Sequence, residues 1–135
     1  MSDMTPPPSV WPSLSFTDVD AGIALLTDGL GFEITALYRD DSGVVHHAEA
    51  RWPDGGGIMF GSRNREESDW AKLGGQGVYI VAAEAATVDK AWERLRERPG
   101  VTVTLPLEDT DYGSHTFGIR DADGNLYSIG TYRGA

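Results

Sequence analysis

The chain of 135 residues contains no cysteine. Disulfide frameworks, thiolate zinc sites, iron–sulfur clusters and a cysteine nucleophile are therefore excluded. Basic residues are also scarce, because 11 lysines and arginines face 21 aspartates and glutamates and leave a net charge of −10. Such a charge repels nucleic-acid phosphates and anionic membrane surfaces, and it favours a cationic ligand. The composition thus predicts no nucleic-acid and no membrane partner.

Long apolar runs are missing as well, since none approaches the roughly 18 residues that a membrane span requires. The proline-rich residues 1–9 contain neither the basic segment nor the apolar core of an export signal, so we expect a flexible lead-in and a cytoplasmic location. The remaining 10–133 suit one domain, because 40% hydrophobic and 10% aromatic residues are typical of globular proteins.

Glycine, in contrast, is abundant at 17 residues and indicates many turns. Leu14 and Phe16 alternate with serines and predict a first strand. A helix follows, capped by Thr17 or Asp18 and ended by glycines at its far end. Three further strands are predicted at 32–38, 44–52 and 57–61, which gives the order β-α-β-β-β.

The same order recurs in the second half, with strands at 78–81, 101–105, 116–120 and 126–131 and a helix at 87–98. Apolar helix positions repeat at a constant offset of 65 residues, from Ile23, Leu26 and Leu30 to Val88, Ala91 and Leu95. Such internal similarity indicates a duplicated unit. We therefore predict an α+β fold of two βαβββ modules, at about 10–61 and 76–133, joined by a polar linker at 62–75.

Four stretches carry a resemblance to a known family. They are Phe16–Asp20, Gly29–Phe32, His47–Trp52 and, most specifically, the C-terminal run Asp111–Tyr132, which contains Asp121-Ala-Asp-Gly-Asn-Leu-Tyr127. They resemble the vicinal oxygen chelate superfamily, which includes glyoxalases, extradiol dioxygenases and bleomycin-resistance proteins. The resemblance implies paired βαβββ modules whose curled mixed sheet encloses a cleft, usually completed by a second subunit.

Metal-dependent members of this superfamily place His, Glu or Gln at one position on each of four strands. By the resemblance, these positions fall on Trp11, Met59, Gln76 and Ser128 here. An indole has no free lone pair, a thioether suits soft metals, and a neutral hydroxyl is a weak ligand. Since Gln76 alone would not hold an ion, we expect no metal and no other cofactor.

The third strand offers another candidate set, because successive side chains of a strand point to opposite faces. His46, Ala48 and Ala50 should face the helix. His47, Glu49 and Arg51 should face the cleft or solvent. Two interpretations besides ligand binding stay open: a solvated polar face with a Glu49–Arg51 ion pair, and a metal held by His47 and Glu49.

Alternation predicts that Val78 and Ile80 face the cleft, while Tyr79 and Val81 pack under the helix. Tyr112, in a loop before a cleft strand, could close over a ligand. Tryptophan, methionine and tyrosine side chains offer apolar area for stacking. The predicted ligand-binding residues are Trp11, Ser13, His47, Glu49, Arg51, Met59, Gln76, Val78, Tyr112 and Ser128. We predict no catalytic residues, because no Gly-x-Ser-x-Gly elbow or comparable nucleophile motif occurs.

The leading hypothesis is a metal-free binding protein of the bleomycin-resistance type. It would sequester a planar, apolar or cationic small molecule, such as an antibiotic, in a cleft between two subunits. A homodimer is expected because an open sheet edge is a liability for a monomer, and the modules could pair within one chain or be swapped between chains. Two alternatives remain: a metal-dependent lyase, dioxygenase or transferase with an altered site, and a structural or regulatory member without a ligand.

Overall fold

A computed structural model describes residues 7–65 and 69–135, and it contains both predicted modules. Residues 1–6 of the predicted lead-in and residues 66–68 of the predicted linker lie outside the described residues. Each module forms its own four-stranded mixed sheet, curled but not closed. The predicted α+β class with two βαβββ units is therefore confirmed.

Module one begins with a strand whose serines and apolar residues alternate, as predicted. Asp18 caps the helix by accepting a hydrogen bond from the Ala21 amide at 3.1 Å. Gly31, with φ at 104°, ends the helical stretch in a left-handed conformation that glycine tolerates. In chain order the elements are β1 (Ser13–Phe16), α1 (Val19–Ala24) continued by a π-helical segment (Leu25–Leu30), β2 (Glu33–Arg39), β3 (Val45–Arg51) and β4 (Gly57–Ser62). The sheet order is β1-β4-β3-β2, with β1 parallel to β4.

Module two repeats this arrangement with the sheet order β5-β8-β7-β6. Its elements are β5 (Gly77–Val81), α2 (Ala85–Leu95), β6 (Thr102–Asp109), β7 (His115–Arg120) and β8 (Leu126–Gly130). The strand β6 runs four residues beyond the predicted end at 105, through two register shifts around Leu105. No helix within residues 7–65 and 69–135 has the length and hydropathy needed to cross a membrane.

The two modules share one hydrophobic core, because their helical segments pack against each other. Leu26, Leu30, Ala91 and Leu95, at the repeated positions, are all at most 1% exposed. Gly29 allows the close approach, since a Cβ there would lie 2.7 Å from the Leu95 Cδ2 atom. The helix-facing side of each sheet is thus buried in the shared core, and the opposite, concave side of each sheet remains open.

Residues 121–127, within the C-terminal run that carries the family resemblance, form a hydrogen-bond network centred on Asp121. The Asp121 carboxylate accepts four hydrogen bonds: from the amides of Asp123 and Asn125, both at 2.9 Å, from the Asn125 side-chain amide at 3.0 Å and from the Tyr127 hydroxyl at 2.8 Å. The Asn125 Oδ1 atom in turn accepts from the Gln76 amide at 3.0 Å. This network fixes the β7–β8 hairpin and the start of β5 together.

The predicted faces of β5 are wrong. The parallel pairing aligns Val78 with Tyr127 and Ile80 with the next core residue of β8, so Val78 packs against the buried core. Tyr79 therefore takes the concave side, in register with Ser128. The glycine-rich segment before β5 has no alternation of polar and apolar side chains from which the orientation of β5 could be predicted. The pairing with β8 determines that orientation.

The predicted faces of β3 also need one correction. A register shift between the pairs Tyr38–His47 and Arg39–Val45 leaves His46 as an extra residue in the strand. Such a bulge reverses the alternation on one side of it. Val45, rather than His46, is therefore buried in the core, while Ala48 faces the core as predicted.

Candidate functional site

The concave side of module one gathers most of the predicted binding residues. Met59 on β4 lies in register with Ser13 on one side and Glu49 on the other. A hollow of about 320 Å³ covers this surface. It is lined by Trp11, Ser13, His46, His47, Met59, Phe60, Arg65 and Trp70. Four of the ten predicted residues thus line one hollow, and their role in binding stays a prediction.

Trp11 reaches the hollow because the neighbouring strand carries a glycine. A Cβ on Gly57 would lie 2.5 Å from the Cζ3 atom of the Trp11 ring, which is closer than real Cβ contacts allow. The absence of a side chain at Gly57 therefore makes room for the indole on β4. The aromatic wall of the hollow depends on this contact between residues 46 positions apart in the sequence.

His47 and Glu49 bind each other on this face, with 2.7 Å between His47 Nε2 and Glu49 Oε2. The Tyr38 ring stacks on His47 with ring centroids 6.0 Å apart. The Glu49–Arg51 ion pair considered from the sequence is wrong, because His47 is the Glu49 partner. The Arg51 Nε atom is buried and has no hydrogen-bond partner within the described residues.

Four residues of the hollow were not predicted to bind a ligand, and two of them, Arg65 and Trp70, come from the segment 62–75 interpreted as a linker. The Ser15 hydroxyl donates to the Trp70 carbonyl at 2.9 Å and accepts from the Arg65 Nη1 atom at 3.1 Å. Arg65 Nη1 also donates to the Ser62 carbonyl at 3.0 Å. Burial lowers the pKa of the Arg65 guanidinium from its usual value. A tryptophan inside an otherwise polar linker was the signal in the sequence that could have indicated Trp70.

Module two presents a second, more open hollow of about 440 Å³ on its concave side. Its lining includes Tyr79, Leu105, Gly118, Leu126 and Ser128. Of the predicted residues, Ser128 and Val78 both line this hollow. The Val78 side chain packs partly against the core, and Tyr79 takes the concave side of β5.

The two remaining predicted residues lie at the margins of module two. Gln76 directly precedes β5 and is held through its backbone by the Asn125 side chain. Tyr112 is 64% exposed, and its ring packs edge-on against Tyr132 at 5.5 Å. The Tyr132 carbonyl accepts from the Tyr79 hydroxyl at 2.7 Å, so Tyr112 lies close to the concave side of module two.

The residues at the metal-ligand positions of the superfamily do not fit a divalent cation. Of the four positions named from the resemblance, Met59 offers a thioether and Ser128 a hydroxyl. Their register neighbours Ser13 and Tyr79 add only further hydroxyls. Hard divalent cations prefer carboxylate, imidazole or carbonyl donors. Within residues 7–65 and 69–135, no three histidine, aspartate or glutamate side chains are grouped so that they could hold a metal ion.

The fold is one of paired βαβββ modules, and each module has an open concave face. A family model described as "Glyoxalase/Bleomycin resistance protein/Dioxygenase superfamily" matches residues 10–129. The chain belongs to this superfamily, as its sequence motifs predicted. A comparison with curated proteins finds no match.

Solved structures share the fold across nearly the whole chain. TioX from Micromonospora sp. ML1 is 23% identical, with a TM-score of 0.66 over 87% of this chain and 93% of that chain. Lactoylglutathione lyase from Agrobacterium tumefaciens is also 23% identical, with a TM-score of 0.61 over 93% and 94%. A glyoxylase/bleomycin resistance protein/dioxygenase domain from Frankia sp. EAN1pec is 19% identical, with a TM-score of 0.66 over 96% and 100%. At these identities the likeness concerns the fold alone.

Proposed function

We propose that this protein captures a planar small organic molecule, such as an antibiotic, without a metal ion and without making or breaking a bond. The observation that carries the proposal is the hollow of module one, where Trp11, Trp70 and Met59 supply apolar walls and floor. Flat aromatic surfaces bind flat ligands by stacking, and a methionine side chain adapts to irregular shapes.

A second copy of the chain would complete the site. The helices lie between the two sheets, so the concave sides of one chain do not face each other. Binding sites generally bury most of a ligand's surface, which neither open hollow does by itself. We propose a homodimer in which module one of one copy faces module two of the other, with or without exchange of modules. The expected cytoplasmic location remains part of this proposal.

One observation favours a second candidate, a metal-dependent lyase or dioxygenase. His47 and Glu49 lie side by side on the concave face, and both are metal-ligand types. They are bonded to each other, however, and the described residues offer no third ligand beside them. A metal at this place would have to break that bond and recruit a ligand from a second copy.

The test is calorimetric titration of the protein with a panel of planar aromatic compounds. We expect saturable binding that Trp11→Ala weakens about 30-fold, because truncating a central aromatic contact typically costs about 2 kcal/mol. The control is Trp92→Phe, since Trp92 packs against Phe117 on the helix side. No binding by any compound, or equal binding by Trp11→Ala, would contradict the proposal.

A metal titration separates the two candidates. A ligand that binds only the folded state raises the melting temperature by mass action. We expect nickel, manganese and zinc to leave the melting temperature unchanged. A metal-dependent rise that disappears in Glu49→Gln would favour the enzyme.

A further inference from the structure

Arg65 contributes a guanidinium to the lining of the module-one hollow. The turn after β4 folds it back over Gly61, where a Cβ would lie 2.7 Å from its Nη1 atom. Its bonds to the Ser15 hydroxyl and the Ser62 carbonyl hold this position but do not neutralise its charge. No carboxylate within the described residues pairs with it, so an acceptor from a ligand can approach the remaining donors.

Arg51 lies on the same face of the sheet as Met59, beyond the residues that line the hollow. It lies in register with Gly57, four residues before Gly61 on β4, which corresponds to about 13 Å along a strand. Glu33 stands opposite Arg51 on β2, yet Arg51 forms no ion pair within the described residues. Its buried Nε atom also lacks an acceptor there. Buried donors are normally satisfied, and none of the described residues satisfies this one.

Two carboxylates near the hollow in the described part of the chain, Glu49 and Asp40, already have hydrogen-bond partners. Glu49 is hydrogen-bonded to His47, and Asp40 is hydrogen-bonded to His46, each at 2.7 Å. Asp40 also accepts from the Ser42 hydroxyl at 2.7 Å. The polar capacity that the hollow still offers to a ligand is therefore mainly that of hydrogen-bond donors carrying positive charge.

We infer that the ligand of this hollow is a planar aromatic compound that carries a carboxylate or another oxyanion, and that Arg65 binds this group. The inference rests on the proposed capture function and names its ligand class. A guanidinium matches a carboxylate with two parallel hydrogen bonds, and partial loss of hydration favours such pairing. The net charge of −10 acts against an anion only at long range, where salt screens it beyond about 10 Å.

An anionic ligand is the opposite of the cationic ligand that the net charge of the chain favours. Matched probes that differ only in charge distinguish the two. The probes are 2-naphthoate, 2-naphthamide and 2-naphthylmethylammonium, which share one ring system and differ in charge. Calorimetry of the full chain should show naphthoate binding at least about tenfold more tightly than the amide, since a hydrogen bond to a charged group exceeds a neutral one by about that factor. The ammonium compound should bind most weakly.

Variants test whether Arg65 causes this preference. Arg65→Gln should bind naphthoate and the amide equally, while Arg65→Lys, which keeps the charge and loses the planar fork, should fall between. The matched control is Arg96→Gln, because Arg96 lies directly after α2 beside Glu93 and Glu97. Circular dichroism checks that each variant folds, and the comparison of probes on the unmodified chain decides even if Arg65→Gln does not fold.

The outcomes separate this inference from the capture proposal. Equal binding of the three probes, tighter binding of the ammonium compound, or a carboxylate preference that survives in folded Arg65→Gln would overturn the anion inference and leave capture standing. Failure of all three probes to bind would remove the capture proposal, and the anion inference with it.

Discussion

Replacing Tyr127 with phenylalanine tests whether the hydrogen-bond network of residues 121–127 stabilises the fold. The Tyr127 side chain is 2% exposed, and its hydroxyl donates to the Asp121 carboxylate at 2.8 Å. Burial, followed by the nearby Asp121 charge, raises the pKa of Tyr127, so the phenol remains a donor at every working pH. A hydrogen bond to a charged group contributes about 1.5–3 kcal/mol. Because Asp121 keeps its other three donors, we expect Tyr127→Phe to lose about 2 kcal/mol of unfolding free energy, near the lower part of that range.

The assay is urea unfolding followed by circular dichroism, with the slope of free energy against urea expected to stay unchanged. Tyr79→Phe is the matched control on the neighbouring strand. Its hydroxyl also donates one hydrogen bond, to the Tyr132 carbonyl at 2.7 Å, but the residue is 47% exposed. Its loss should stay within about 0.5 kcal/mol. Equal losses in the two variants would refute the assignment of a structural role to the hairpin network.

Further predictions concern the hollow and a surface histidine. Gly57→Ala should displace the Trp11 ring and cost about 1–3 kcal/mol by overpacking, seen as a shifted tryptophan emission together with a lower urea midpoint; an unchanged emission spectrum would contradict the contact. His115 bridges α2 and β6, with Nε2 2.6 Å from Asp89 and Nδ1 2.8 Å from Asp109. Hydrogen bonding to Asp89, then to Asp109, raises the pKa of His115 above its usual 6.5. This stabilisation is therefore full below pH 6.5 and is lost as the pH rises through the pKa of the folded state. The stability difference between the unmodified chain and His115→Gln should accordingly shrink from pH 6 to pH 9 by urea unfolding, and a difference that grows with pH would be contrary to this account.

The local charge of the site differs from the charge of the whole chain. Composition alone favours a cationic ligand, because it sums all charges without regard to place. Folding pairs Glu49 and Asp40 with histidines and leaves Arg51 and Arg65 without carboxylate partners in the described residues. The ligand charge that the site favours therefore depends on which charged groups lie beside it in the folded protein, because hydrogen bonds act over only a few ångströms.

The sequence by itself determined the elements and the duplicated fold. Helix positions with a period near 3.6 place Leu26 and Leu30 on one face, and the same spacing recurs at Ala91 and Leu95. All four are buried in the shared core. Burial of an amphipathic face depends on local spacing, so the sequence pattern is sufficient to predict it.

Only the tertiary structure decided the remaining side chains on the concave faces, beyond the four lining residues that the sequence predicted. In β5 every residue from Val78 to Val81 is apolar or aromatic, so the alternation of polar and apolar residues does not show which face is concave. The pairing with β8 places Tyr79 on the concave face. At β3 a bulge at His46 changes the face, and Arg65 and Trp70 reach the hollow from a segment without periodicity. These placements depend on contacts between residues distant in the chain, and a local pattern carries no information about such contacts.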